Sequence, residues 1–172
     1  DGFRAALEYL RVVAEKDPSS SYLSVNWNYM PMAGASIIHP HLQIIATPNP
    51  TNYQKNTLEA AKGFYEQHGC SYYTALLEEE QQRKERFLAE DEELGWVHAF
   101  APLGQMDFVG IFKSANHLMA ITEQQIKRMA EGLCAIFRYL SSQKYVSFNL
   151  ALYIPPVPSP EYRVHVRVVS RT

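Results

Sequence analysis

The stretch YLSVNWNYMPMAGASIIHPHLQIIAT, residues 22–47, predicts two β-strands joined by a loop of small residues. Residues 22–29 alternate between apolar and polar side chains, which is the pattern of a strand with one buried face. Residues 30–38 are mostly small or backbone-restricting types, and these suit a loop that comes close to another group. Residues 39–47 form a second strand candidate, which ends at two prolines. The stretch therefore predicts β structure around a closely placed loop.

The segments on both sides of this stretch predict helices and further strands. Helical spacing of apolar residues appears in four segments: 2–16, 52–67, 71–86 and Thr122 to about Leu140. Alternating patterns predict strands over 86–90, 96–102, 106–113, 146–153 and 162–169. Thr122 followed by Gln125 is the signature of a capping box at a helix start. These elements predict an α+β fold, with an antiparallel β-sheet and helices packed on one face.

The bulk composition narrows the possible classes of function. A formal net charge of −2 gives no broad attraction to nucleic acid, so a nucleic-acid-binding module is disfavoured. No apolar run approaches the roughly 18 residues of a membrane helix, so we expect no membrane partner and a cytoplasmic location. Cys70 and Cys134 lie far apart and lack the spacing of a zinc knuckle or a redox motif.

The segment His39-Pro40-His41-Leu42-Gln43 is the best candidate for chemistry. In a strand, His39, His41 and Gln43 would share one face, while Leu42 would point into the core. An imidazole attacks phosphorus at neutral pH because a useful fraction of it is unprotonated. Pro40 cannot donate to a sheet ladder, which predicts a strand start or sheet edge and leaves the segment accessible.

A histidine nucleophile has two further requirements. One ring nitrogen must be held by an acceptor, so that the other carries the lone pair. Donors must also face the phosphate oxygens, and Gln43, Ser36 and the loop amides near Gly34 are candidates. A bare His-x-His pair is more often a decoration of an exposed strand or a nonspecific metal site. The wider context decides between these interpretations.

That context is a resemblance to a known family. The stretch from Asn28 to Ile44, with Gly34, Ser36 and the His-Pro-His-x-Gln motif, resembles the active-site segment of the galactose-1-phosphate uridylyltransferase family. This family belongs to the histidine triad superfamily. The resemblance extends weakly to KSANH at 113–117 and VHVR at 164–167.

The resemblance implies a HIT-like fold and a domain arrangement. Residues 1–70 would be the C-terminal part of a first HIT-like half, and residues 71–172 would be a second half. The N-terminal portion of the family's chain would then be missing. Homodimers are expected by the same analogy.

The resemblance also implies a nucleotidyltransferase of ping-pong type, active in carbohydrate metabolism. His41 would attack the α-phosphorus of a nucleotide sugar or nucleotide and pass the nucleotidyl group to a sugar phosphate or to phosphate. Gln43 would hold the phosphoryl oxygens of the covalent intermediate. The predicted substrate-binding residues are Asn28, Gly34, Ser36 and His165.

Metal binding by this chain is less clearly implied. His39 matches a histidine that joins a Cys-x-x-Cys pair on zinc in some members, and this chain has no such pair. Zinc is therefore expected only if the missing N-terminal portion supplies the other ligands. A second metal site would fall on Thr57 or Glu59, Tyr153, His165 and Arg167, where His165 is the one convincing ligand. The polar face of the last hairpin would then either bind phosphate or be solvated: Ser147, Asn149, Tyr153, Arg163, His165 and Arg167.

Three alternatives to the transferase remain open. A nucleotide phosphorylase acting on an ADP-sugar or dinucleoside polyphosphate would use inorganic phosphate as the acceptor. A catalytically inactive relative would keep nucleotide binding without turnover. A hydrolase is disfavoured, because the amide of Gln43 cannot serve as the general acid that a third histidine provides.

Overall fold

The computed structural model describes residues 1–172 throughout and contains four α-helices and seven β-strands. The helices are α1 (Gly2–Lys16), α2 (Asn52–His68), α3 (Tyr72–Arg83) and α4 (Glu123–Ser142). The strands are β1 (Tyr22–Tyr29), β2 (Gln43–Thr47), β3 (Phe87–Glu90), β4 (Leu94–His98), β5 (Asp107–Phe112), β6 (Phe148–Ile154) and β7 (His165–Ser170). They form one sheet in the order β2-β1-β6-β7-β5-β4-β3, with every pair antiparallel. The predicted α+β class with an antiparallel sheet is confirmed.

Capping boxes fix the start of two helices. The Thr122 hydroxyl accepts from the Gln125 backbone N–H, and the Thr122 backbone N–H donates to Gln125 Oε1, as the sequence predicts. Thr51 and Gln54 make the same exchange at the start of α2. Each box satisfies backbone donors that the first helical turn leaves without partners.

Helices cover both faces of the sheet, so the coverage is wider than the predicted single face. α1 and α4 pack on one side, where they bury a large cluster that includes Trp96 and Phe108. α2 and α3 pack on the other side against Val97 and Val109. Neighbouring residues of a strand point to opposite faces of the sheet. Apolar pairs such as Trp96-Val97 are therefore buried only if helices pack on both faces.

The two predicted halves of the chain contribute strands to the same sheet. β1, from residues 1–70, pairs with β6, from residues 71–172, and this register places Asn28 opposite Asn149. The proposed boundary between the halves stays a prediction. None of the four helices combines the length and the apolar character required to cross a lipid bilayer.

Candidate active site

β2 begins at Gln43, four residues later than predicted. The last pair of its ladder with β1 joins Asn26 and Gln43, and the preceding residues are irregular. Pro40 lacks an N–H, so the ladder cannot continue through it. The prediction that His39 and His41 share a strand face with Gln43 is therefore wrong.

The ring of His41 is oriented by the backbone of the same segment. Its Nδ1 lies 2.9 Å from the carbonyl oxygen of His39. A carbonyl oxygen only accepts, so Nδ1 carries the hydrogen, and the neutral ring has its lone pair on Nε2. A main-chain group two residues earlier is thus the acceptor that a histidine nucleophile would require.

An apolar groove of about 570 Å³ opens beside His41. Its walls come from α1, from β1 and from the residues around the motif: Gly2, Phe3, Ala5, Ala6, Tyr9, Trp27, Pro40, Leu42 and Ile44. His41 is partly exposed at this groove, so a bound molecule has access to its ring.

A chain of polar side chains crosses the sheet from Gln43. The Asn28 Nδ2 donates to Gln43 Oε1 at 3.5 Å, and the Asn149 Nδ2 donates to Asn28 Oδ1 at 2.7 Å. Arg171 Nε donates to Asn149 Oδ1. The structure therefore brings together Asn28 and Gln43, two of the predicted site residues. Asn149 was predicted only as part of a polar face, and Arg171 follows the last predicted strand with no pattern to mark it.

The loop after β1 leaves donors free from Ser36 onward, whereas the predicted donor at Gly34 is already bonded. Gly34, at φ +82°, ends the short turn Pro31–Ala33. The amides of Gly34 and Ala35 donate to the carbonyls of Pro31 and Met30, at 2.9 and 3.3 Å. The exposed Ser36 hydroxyl and the amides of residues 36–39 have no protein acceptor. Donors for an anion thus begin at Ser36 rather than at Gly34.

His165 lies apart from the other predicted site residues. It is on β7, three places from β2 in the sheet, and only 1% of it is exposed. Its Nδ1 bonds the Arg163 carbonyl at 3.1 Å, and its ring stacks on Tyr73 of α3 with centroids 4.8 Å apart. Burial, together with the charge of Arg167, lowers the pKa of His165 to about 4. A substrate would reach His165 only if α3 moved, so the structure does not support the predicted contact.

The polar face of the last hairpin includes Arg167. At this residue the face is neither solvated nor free to bind phosphate. The guanidinium makes two hydrogen bonds with the buried Asp107 carboxylate, at 2.9 and 2.7 Å, and one with the Tyr53 hydroxyl at 3.0 Å. Burial opposes the charge, but the bonds with Asp107 and Tyr53 outweigh it and raise the pKa of Arg167. Arg167 is thus an internal structural cation.

The residues of this chain do not form a metal site by themselves. No group of three or more His, Cys, Asp or Glu side chains is placed to hold a metal ion. His39 is exposed beside the loop, so a metal there would require ligands from other polypeptide.

The fold is that of uridylyltransferase structures. A solved uridylyltransferase superposes with a TM-score of 0.85 at 20% identity, over 97% of this chain and 54% of that one. An ADP-glucose phosphorylase from Arabidopsis thaliana, solved with bound ADP-glucose, also gives a TM-score of 0.85, at 19% identity over 98% and 55% of the two chains. At these identities the likeness establishes the fold, and it agrees with the fold that the sequence resemblance implied.

One relative is similar in sequence over the whole chain. It is an uncharacterized protein from Archaeoglobus fulgidus, 31% identical over all 172 residues, which make up 51% of the relative's length. No family model matches the chain. The chain spans about half the length of the archaeal relative and of both solved structures.

Proposed function

We propose that this chain carries the nucleophile of a nucleotidyltransferase that works through a covalent nucleotidyl-histidine at His41. The observation that carries the proposal is the hydrogen bond from His41 Nδ1 to the His39 carbonyl, which leaves the lone pair on Nε2. Gln43 and Ser36 are both exposed, and they offer donors on either side of His41 in the sequence. The likeness in fold to a uridylyltransferase and to an ADP-glucose phosphorylase supports the same chemistry.

The reaction takes place in two displacements. In the first, Nε2 of His41 attacks the α-phosphorus of a nucleotide sugar, the N–P bond forms, and the P–O bond to the sugar phosphate breaks. In the second, a phosphate oxygen of the acceptor attacks the same phosphorus and the N–P bond breaks. The Nδ1 hydrogen stays shared with the His39 carbonyl and stabilises the positive charge on the ring. The Gln43 amide and the Ser36 hydroxyl donate to the phosphoryl oxygens as negative charge gathers on them.

The proposed donor is a nucleotide sugar, because the neighbouring structures are named for uridylyl transfer and for ADP-glucose. The proposed acceptor is a sugar phosphate, with inorganic phosphate as the alternative. Zinc at His39 enters the proposal only with ligands from outside this chain, and a homodimer remains part of it by analogy with the family.

The test is covalent labelling with UDP-glucose and ADP-glucose that carry a radioactive α-phosphate. The parent protein should keep label that is stable in base and lost in acid. His41→Gly should keep none while binding the nucleotide within a few fold. His68→Asn, at the exposed end of α2, is a matched control and should label like the parent.

Product analysis then separates the candidate reactions. Transfer of label to glucose 1-phosphate or galactose 1-phosphate identifies a transferase, and transfer to inorganic phosphate identifies a phosphorylase. Release as the nucleoside monophosphate without an acceptor identifies a hydrolase. Tight binding with no label on the parent would contradict the covalent mechanism and favour a nucleotide-binding protein without turnover.

A further inference from the structure

We infer that Arg171 and Asn149 are positioning residues that fix which end of the Gln43 amide faces the substrate. The inference deepens the proposed function, since it concerns the group that would hold the phosphoryl oxygens. It rests on the chain of hydrogen bonds that runs from Arg171 through Asn149 and Asn28 to Gln43.

The orientation of the Asn149 amide is fixed at both of its ends. Arg171 has donors and no acceptor, and its Nε donates to Asn149 Oδ1. The Ala33 carbonyl is an acceptor without a donor, and Asn149 Nδ2 donates to it at 2.8 Å. Turning the Asn149 amide over would set its NH₂ group against the guanidinium and its oxygen against the carbonyl. The two fixed partners therefore allow one orientation.

The orientation of the Asn149 amide sets the orientation of Asn28, and through Asn28 that of Gln43. Because Asn149 offers an N–H, Asn28 must present its oxygen to Asn149, and the two atoms lie 2.7 Å apart. The NH₂ group of Asn28 then faces Gln43 Oε1 at 3.5 Å, the longest contact of the series. The Gln43 NH₂ group is left at the outer end of an exposed side chain. Phosphoryl oxygens only accept hydrogen bonds, so this end attracts them and the opposite end would repel them.

The backbone holds the series in place across four neighbouring segments. The sheet register sets Asn28 opposite Asn149, and the ladder of β1 with β2 ends at Gln43. The Arg171 amide donates to the Ser147 carbonyl at 2.8 Å, which anchors the guanidinium just beyond β7. Arg171, near the C-terminal end of the polypeptide, thus determines which end of the Gln43 amide faces an anion.

The decisive variant is Asn149→Asp, which keeps the shape and the bond from Arg171 but removes the N–H groups that Asn28 Oδ1 and the Ala33 carbonyl accept. Asn28 must then turn its own NH₂ group toward residue 149 and its oxygen toward Gln43, so the Gln43 NH₂ group turns inward. Loss of a single preorganised donor to a developing oxyanion costs about 10²–10³-fold in kcat. We therefore expect a drop in kcat of about 10²-fold with KM within a few fold.

Two further variants distinguish positioning from a merely structural role. Gln43→Glu has no amide to orient, so adding Asn149→Asp to it should cost less than about threefold more in kcat, because the two changes act on one interaction. Arg171→Lys keeps a partner that only donates and should retain most of the parent kcat. Asn56→Asp, on the exposed surface of α2, controls for the added charge and should match the parent.

A readout that does not depend on activity keeps this inference separate from the proposed function. The side-chain NH₂ signals of Gln43, assigned by their loss in Gln43→Glu, should exchange rapidly with water in the parent and more slowly in Asn149→Asp. Unchanged exchange in Asn149→Asp, or kcat losses that multiply in the double variant, would overturn the positioning role. Absence of covalent label on the parent would refute the proposed function and leave the exchange result standing by itself.

Discussion

Gly132, in the middle of α4, packs directly against the indole ring of Trp96. A Cβ atom at Gly132 would lie 2.5 Å from Trp96 Cε2 and Cζ2, and one at Gly110 on β5 would lie 2.6 Å from Cη2 of the same ring. The ring therefore fills the space between helix and sheet. We predict that Gly132→Ala destabilises the protein, although alanine is the better helix former.

The expected magnitude follows from two opposing effects. Alanine in place of glycine in a helix interior stabilises by about 0.8–1 kcal/mol. Forcing an extra methyl group into a packed core costs about 1–3 kcal/mol. The difference is a destabilisation of about 1 kcal/mol, which lowers Tm by about 2–4 °C in a domain of this size. Gly63→Ala is the matched control, because nothing lies within 4 Å of a Cβ at Gly63 in α2.

The assay is thermal unfolding followed by circular dichroism, with urea unfolding at 25 °C as a second measure. Gly63→Ala should raise Tm by about 2–4 °C and Gly132→Ala should lower it by a similar amount. A Gly132→Ala protein that melts at or above the parent would show that the indole does not pack on α4 in this way.

Three further predictions test a buried histidine, a buried ion pair and a helix cap. His165 has a pKa of about 4 in the folded state, against about 6.5 when unfolded, so stability should fall by about 3 kcal/mol as pH drops from about 6.5 to 4. His165→Phe should remove this part of the pH dependence of urea unfolding. Asp107→Asn leaves the Arg167 charge buried without its counter-ion and should cost about 3–5 kcal/mol in the free energy of unfolding. Thr122→Ala should lower that free energy by about 1 kcal/mol through loss of the helix cap, and Thr122→Ser should keep most of it.

The elements that local patterns determine could be predicted from the sequence. Helix α4 follows from its apolar spacing and from the capping box at Thr122, and α1 and β1 have the predicted bounds. The second helical layer could not be predicted in the same way. Val97 and Val109 look like ordinary strand residues, and only the fold shows that α2 and α3 cover them.

The same division applies to the candidate site. The motif and its spacing predict Gln43, Asn28 and Ser36 as site residues, because these residues lie within one short stretch. Asn149 meets Asn28 through the pairing of β1 with β6, more than a hundred residues apart in the chain. The contact of Arg171 with Asn149 likewise depends on how β6 and β7 pair, so no local pattern marks it.

The departure of residues 39–42 from strand geometry explains the orientation of the proposed nucleophile. In an extended strand, residues two positions apart are separated by about 6.5 Å, and carbonyl groups point sideways toward the neighbouring strand. The irregular backbone of residues 39–42 instead brings the His39 carbonyl oxygen within 2.9 Å of His41 Nδ1. His165 has the same bond to the carbonyl two residues before it, at 3.1 Å, yet α3 buries its ring. The local hydrogen bond therefore selects which ring nitrogen carries the lone pair in both histidines, and exposure determines that only His41 offers that nitrogen to a substrate.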